Sequence, residues 1–367
     1  MARIGQPNID IIFKQKAVTA VQRSQRGVLA IIVKDTTNKA DAIKHYVYKR
    51  GTDVTQSDFT AENYKDIMRA FNVAVNKVHV FACAGSVEPK DAVKELEKVK
   101  FNWVVTNVKD YQQGLANYVK QFNADSKGHK VCCVVANATT TNSMYVVNLK
   151  GTGGVDSEGE AVTAESYTIR IASTLCNLPM NRSLTYYVFQ DLQSWDDTYI
   201  TDEDNKDLDS WIDKGFLCLI NDDEEVKCAR AVNSLTTFTS TETEDMSHII
   251  IVESMNMILE DIYTTFKDYY VGKYKNSYDN QCLFFSSVNS YFRTLEDEEI
   301  LEPTYDNQCG VDIEGQRNAW TAIGKTEAED WSDSKVKNMP FRTWVYAQGD
   351  VKIMDCIEDI KFTITMA

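Results

Sequence analysis

Several things that would point to chemistry are scarce or missing in this sequence. Only four of its 367 residues are histidine and five are proline, and basic residues are outnumbered, 39 Lys and Arg against 54 Asp and Glu. The resulting net charge of −15 repels phosphate, and no basic stripe offsets it, so nucleic-acid binding is not expected. No apolar run approaches the roughly 20 residues a membrane span needs, and the opening MARIGQPNIDIIF lacks the charged-then-apolar layout of a signal peptide. The nine cysteines include no CxxC pair. Cys83, Cys132 and Cys218 stand in apolar runs and read as free core thiols of a protein made in a reducing cytoplasm.

Catalytic and ligand-binding motifs are incomplete wherever they begin. His45, His79, His129 and His248 are scattered, with no HxxxH spacing and no cysteine ligand pattern beside them. Ile323–Thr326 reads IGKT, the end of a phosphate-binding loop, but Ala319 stands where the loop needs its first glycine, and the approach is polar. Gly151–Gly154 (GTGG) lacks the third glycine of a dinucleotide fingerprint and reads as a flexible loop. Asp202 and Asp204 open like a calcium loop, but Lys206 takes a ligand position and Asp207 replaces the turn glycine. There is no GxSxG elbow, and paired acids such as Asp196 and Asp197 are consecutive and diverge. No catalytic, cofactor-binding or metal residue is therefore assigned, and an enzyme is not expected.

What is present is ample core material: 43% hydrophobic residues, with 18 Tyr, 15 Phe and 6 Trp. The length suggests two domains. From Gly27 the pattern is α/β. GVLAIIVKD, KVHVFACAG, FNWVVTNV and KVCCVVAN read as buried strands, separated by helix-capable ADAIKHYVY, SDFTAENYKDIMRAFN, PKDAVKELEKV and QQGLANYVKQFN. Ser57 or Thr60 serves as N-cap of the second of these. Such alternation implies a largely parallel sheet with helices on its faces. ESYTIRIASTLCNLP reads as a helix ending before Pro179, and GFLCLI–NDDEE–VKCARAVNSL as a hairpin. The polar run TTFTSTETED marks a boundary near residue 240. Beyond it, HIIIVESMNMILEDIYTTFKDYYVGKY is a long helix stopped around Gly272, and QCLFFSSVNSYFRTLEDEEIL another.

The two ends carry the most informative pattern. Ile9, Ile11 and Phe13 alternate with Asp10, Ile12 and Lys14, and Ile360, Phe362, Ile364 and Met366 alternate with Lys361, Thr363 and Thr365. A period of two reads as a strand with one apolar face. Strands at chain ends either pair within their own domain or pair with another chain.

The opening GQPNIDIIFKQKAVTAVQRSQRGVLAIIVKD, the hairpin GFLCLINDDEEVKCARAVNSLTTF, the run YYVGKYKNSYDNQCLFFSSVNSYFRTL and the closing MDCIEDIKFTITM resemble tail sheath proteins of contractile phages of Firmicutes and their defective PBSX-type relatives. The resemblance spans both ends and most of the C-terminal half. It implies a mixed α/β fold: an N-terminal arm over 1–25, an outward α/β domain over 26–240, a tube-facing α+β domain over 241–354 and a C-terminal arm strand over 355–367. It further implies a structural subunit that stacks as six-fold rings around an inner tail tube and contracts without nucleotide or cofactor. Its partners would be copies of itself, the tube protein, and baseplate and terminator or collar proteins, within a tail particle released by lysis. Ile9, Ile11, Phe13, Ile360, Phe362, Ile364 and Met366 would then be inter-subunit strand residues. The alternatives are a soluble α/β enzyme or another self-assembling particle protein such as a capsid or S-layer component.

Overall fold

A computed structural model describes residues 20–24, 26–37, 42–201 and 206–366. The chain divides into two compact units. The larger comprises Arg23–Thr264, Glu298–Glu302 and Ile353 onward; the smaller is built chiefly from Thr265–Asp297 and Pro303–Lys352.

In the larger unit, apolar runs set the sheet. The elements in chain order are β1 (Val28–Lys34), β2 (Ile43–Tyr48), α1 (Ala61–Arg69), β3 (Lys77–Cys83), α2 (Val93–Leu96), β4 (Trp103–Thr106), α3 (Gln112–Asp125), β5 (Cys132–Ala136), β6 (Val146–Leu149), β7 (Gly153–Asp156), β8 (Ala161–Thr163), α4 (Ala164–Asn177), β9 (Leu192–Trp195), α5 (Lys206–Asp213), β10 (Phe216–Leu217), β11 (Leu219–Asp222), β12 (Glu225–Cys228) and α6 (Ile249–Thr265). Seven strands form one sheet in the order β10-β6-β5-β4-β1-β3-β2, parallel except at β2. Successive side chains of β1 enter two different cores. Leu29, Ile31 and Val33 face the layer holding Ile67 of α1 and Tyr167 and Ile171 of α4, while Val28, Ala30 and Ile32 face that of Leu96, Leu115 and Val119 from α2 and α3. A sheet covered on both faces explains why its strands are continuous apolar runs and not alternating ones.

Local chemistry fixes the ends. Thr60 caps α1 through the Asn63 amide, and Thr163 caps α4 through that of Ser166. Between β11 and β12, Asp223 and Glu224 take φ of +48° and +65°, the two left-handed residues that a tight hairpin of matching twist requires.

The structure corrects three local expectations. ADAIKHYVY is not read as a helix: its residues Ile43–Tyr48 are β2, an antiparallel edge strand whose Tyr46 and Tyr48 rings pack on Phe59. PKDAVKELEKV yields one 3-10 turn at Pro89–Ala92 and only the four residues of α2. The GTGG segment is not a flexible loop, since Gly153 and Gly154 begin β7, central in a three-stranded sheet with β8 and β9. Gly153 is required there: its φ is +144°, and a Cβ would lie 2.0 Å from the Val162 carbonyl oxygen.

The smaller unit contains a π-helical turn at Phe266–Tyr270, α7 (Tyr278–Asp297), β13 (Gln308–Val311), α8 (Ile313–Ala322), α9 (Asp333–Lys337) and β14 (Ala347–Asp350). Phe284 of α7 packs edge-on against Phe266 and Tyr270. Ala328, Trp331 and Val336 make a small core with Ile313, Trp320 and Met339. β13 and β14 form a two-stranded antiparallel ladder.

Candidate interaction surface

The incomplete motifs resolve into structural roles. IGKT follows helix α8 and leads into a 3-10 turn, and Lys325 lies over the rings of Trp320 and Trp331, 5.1 Å from each centroid. Asp202 and Asp204 lie outside the described residues. Among those described, no group of three or more His, Cys, Asp or Glu could hold a metal, and no helix is long and apolar enough to cross a membrane. His79 is buried on β3 with Nδ1 2.9 Å from Nε2 of His45, whose ring stacks on Phe81. Burial first, then the neighbouring His45 and Lys77, lowers the His79 pKa to about 4, so it stays neutral at physiological pH. Asp156 also has a structural partner set. Burial raises its pKa, but the Glu160 amide, Arg69 and Lys65 outweigh that and bring it to about 2.

The most exposed of the large apolar residues gather at the C-terminus. Ile360, Phe362, Ile364 and Met366 are 88%, 76%, 72% and 90% exposed, and residues 354–366 belong to no strand. Ile357, absent from the sequence-derived set, is 98% exposed. Ile9, Ile11 and Phe13 lie outside the described residues.

Within the larger unit, the segments leading to both ends are tied to shared elements. On the N-terminal side, Ser24 donates from its amide and hydroxyl to Asp261 Oδ1 at 2.6 and 2.5 Å, and Arg26 pairs with Glu253, both acids on α6. Arg23 pairs with Glu298. On the C-terminal side, the Met354 amide donates to the Ile300 carbonyl at 2.9 Å, and Ile353 bridges to Leu301. Residues 298–301 therefore touch both roots. Asp355 meets Nδ1 of His248, the residue just before α6. That bond raises the His248 pKa, burial opposing it; Asp355 is lowered, the His248 bond and its own neighbours overcoming burial.

The smaller unit offers the complementary feature, an open strand edge. On β13 the Cys309 amide donates to Asn289 Oδ1 at 2.7 Å, and its carbonyl accepts from Asn289 Nδ2 at 3.1 Å. One side-chain amide of α7 thus stands in for a neighbouring strand and closes that edge. Cys309 faces outward, so its ladder partner Gly349 also faces outward on β14, as does Ala347. No hydrogen bond among the described residues engages that outer edge, and all of β14 is exposed.

Residues 241–367 match the family model "Phage tail sheath C-terminal domain". The tail sheath protein of Clostridium phage phiCD119 is 28% identical over 99% of both chains. Among solved structures, the sheath tail protein of Desulfitobacterium hafniense superposes with a TM-score of 0.66 at 14% identity, covering 83% of this chain and 94% of that one. The helical sheath of the anti-feeding prophage in its contracted state gives 0.69 at 11% identity, covering 98% of each. The chain is thus similar along its whole length to a phage tail sheath protein, shares the fold of solved sheath proteins, and matches the phage tail sheath C-terminal domain over residues 241–367.

Proposed function

We propose that this subunit polymerises as stacked six-membered rings around an inner tail tube and contracts to drive that tube through a target envelope. It acts as a structural and mechanical part of a tail particle and not as an enzyme. The carrying observation is a pairing of opposites within one chain. Among the described residues, 360–366 form an apolar, alternating segment with no partner strand, and β14 has an outer edge with no added strand. A strand of a neighbouring copy laid on β14 satisfies both, with backbone bonds giving strength and alternate side chains giving register. The N-terminal residues Ile9, Ile11 and Phe13 play the same part toward another neighbour. Residues 26–240 face outward, 241–354 face the tube, and baseplate and terminator or collar proteins close the ends of the polymer.

No cofactor enters this scheme: the extended polymer is metastable and contraction releases energy stored during assembly. Negative-stain microscopy of the purified protein tests it. Striated tubes of the contracted type are expected without added nucleotide or metal, and a small oligomer at every concentration would overturn the reading.

A further inference from the structure

Between the anchored Met354 and the exposed Ile360 lies a polar cluster that no sequence motif announced. Glu358 is almost fully enclosed, its side chain 9% exposed. Its Oε1 accepts from Ser183 Oγ at 2.9 Å and Thr185 Oγ1 at 2.7 Å, and its Oε2 lies 3.4 Å from Arg230 Nε. Both hydroxyls are prepared for this. The Thr185 amide donates to Ser183 Oγ at 3.1 Å and the Ala231 amide to Thr185 Oγ1 at 2.9 Å, so the Thr185 proton points at the carboxylate, while the Ser183 proton is shared between Glu358 and Thr185 Oγ1, 3.0 Å away. Arg230 also reaches Asp359, both of whose oxygens lie 2.6 Å from Nη2. Tyr186, next to Thr185, holds φ at +57°, a strained value for a bulky side chain, while its amide bonds the Cys228 carbonyl at 2.8 Å. Strain of this kind persists only where the surroundings impose it.

Two consecutive residues of a regular strand point to opposite faces. Glu358 and Asp359 instead share one guanidinium, so the chain is not in strand geometry there, and the acid is turned in while Ile357 is turned out. The apolar alternation resumes only at Ile360. We propose that Ser183, Thr185 and Arg230 form a clamp on Glu358 that pins residues 353–359 to their own subunit. The hinge of the C-terminal arm is thereby fixed between Asp359 and Ile360, leaving 360–366 as the part a neighbour captures. The clamp is a positioning device for the strand exchange proposed above and rests on that reading for its purpose, though not for its existence.

The test is digestion of dilute, unassembled full-length protein with a glutamate-specific protease, scoring the cut after Glu358. A clamped Glu358 is cut slowly. In Arg230→Gln the cut accelerates about tenfold, the effect of losing one or two charge-assisted bonds, while cuts elsewhere and the melting temperature stay unchanged. Should Arg230→Gln melt early, Ser183→Ala paired with Thr185→Val decides in its place. A cut at wild-type rate in folded variants of both kinds overturns the clamp. Wild-type protein that never polymerises overturns the strand-exchange reading instead, and the digestion still decides the clamp. Where polymers form, the variants yield tubes of irregular helical repeat, whereas wild-type regularity in every variant counts against the hinge assignment.

Discussion

Truncating Phe362 to alanine should cripple assembly and leave the subunit untouched. In the isolated chain the ring is 76% exposed, so its removal gives up almost no buried surface and the melting temperature stays where it is. In the strand exchange proposed above the ring would enter a neighbour's sheet. Full burial of a phenylalanine is worth about 1.5–3 kcal/mol, and alanine forfeits most of that, roughly 2 kcal/mol per contact. Ordering the arm costs about 1–2 kcal/mol per residue, but this cost is common to both proteins and cancels in the comparison. At 1.4 kcal/mol per factor of ten, the critical concentration for polymerisation should rise about thirtyfold. The assay is sedimentation across a dilution series, with circular dichroism on the supernatant. Thr363→Ala is the control and should shift the critical concentration much less. A fall in melting temperature would mean that the ring packs within its own subunit. An unchanged critical concentration would mean that no copy captures this strand.

Three further outcomes follow from the same geometry. Ile357→Asp should weaken assembly without altering the subunit's melting, because the side chain is already 98% exposed, as sedimentation beside the wild type can establish. The His248–Asp355 contact should make anchoring of the C-terminal root pH-dependent. With His248 raised, its share is full below the unfolded value near 6.5 and fades as pH climbs through the folded value; with Asp355 lowered, its share is lost only as pH falls through its folded value, below about 3.9. Exchange protection of the Met354 amide should thus fall from pH 6 to pH 8, and in His248→Gln that pH dependence should vanish. Gly153→Ala should cost at least about 2 kcal/mol in urea denaturation, since it meets both the Gly-only backbone region and the Val162 carbonyl.

The parallel sheet was legible because a sheet covered on both faces demands long apolar runs, and β1, β3, β4 and β5 are such runs. Edge elements were not. β2 is only six residues long and only Tyr48 of it is buried, and its preference for a strand is settled by pairing with β3, which no local pattern states. β7 looked like a loop because glycine signals freedom, whereas here the two glycines admit the close approach of β8 and β9. Ile360, Phe362, Ile364 and Met366 of the C-terminal arm were readable one by one, but Ile357 and the anchoring of the arm were not. Arg230 and Glu358 are 128 positions apart, and an Arg and a Glu at that distance look like solvated charge. A faint signal did exist: the apolar alternation ends at the acid pair Glu358–Asp359, where the chain changes from fixed to free. The same blindness hid Glu253, Glu260 and Asp261 on α6, whose partners Arg26, Lys100, His129 and Ser24 come from distant segments.

Asn289 gives the β13–β14 ladder a valence of one. A two-stranded ribbon with both edges bare recruits on either side, and the product of each addition is a wider ribbon that recruits again, which is the route to cross-β fibres. With a side-chain amide occupying the Cys309 edge, growth of this sheet has a direction and its inner limit is set within the subunit itself. In the assembly proposed above, each copy would therefore link to its neighbours through open strands while any two ladders are denied the back-to-back pairing that would join copies out of register.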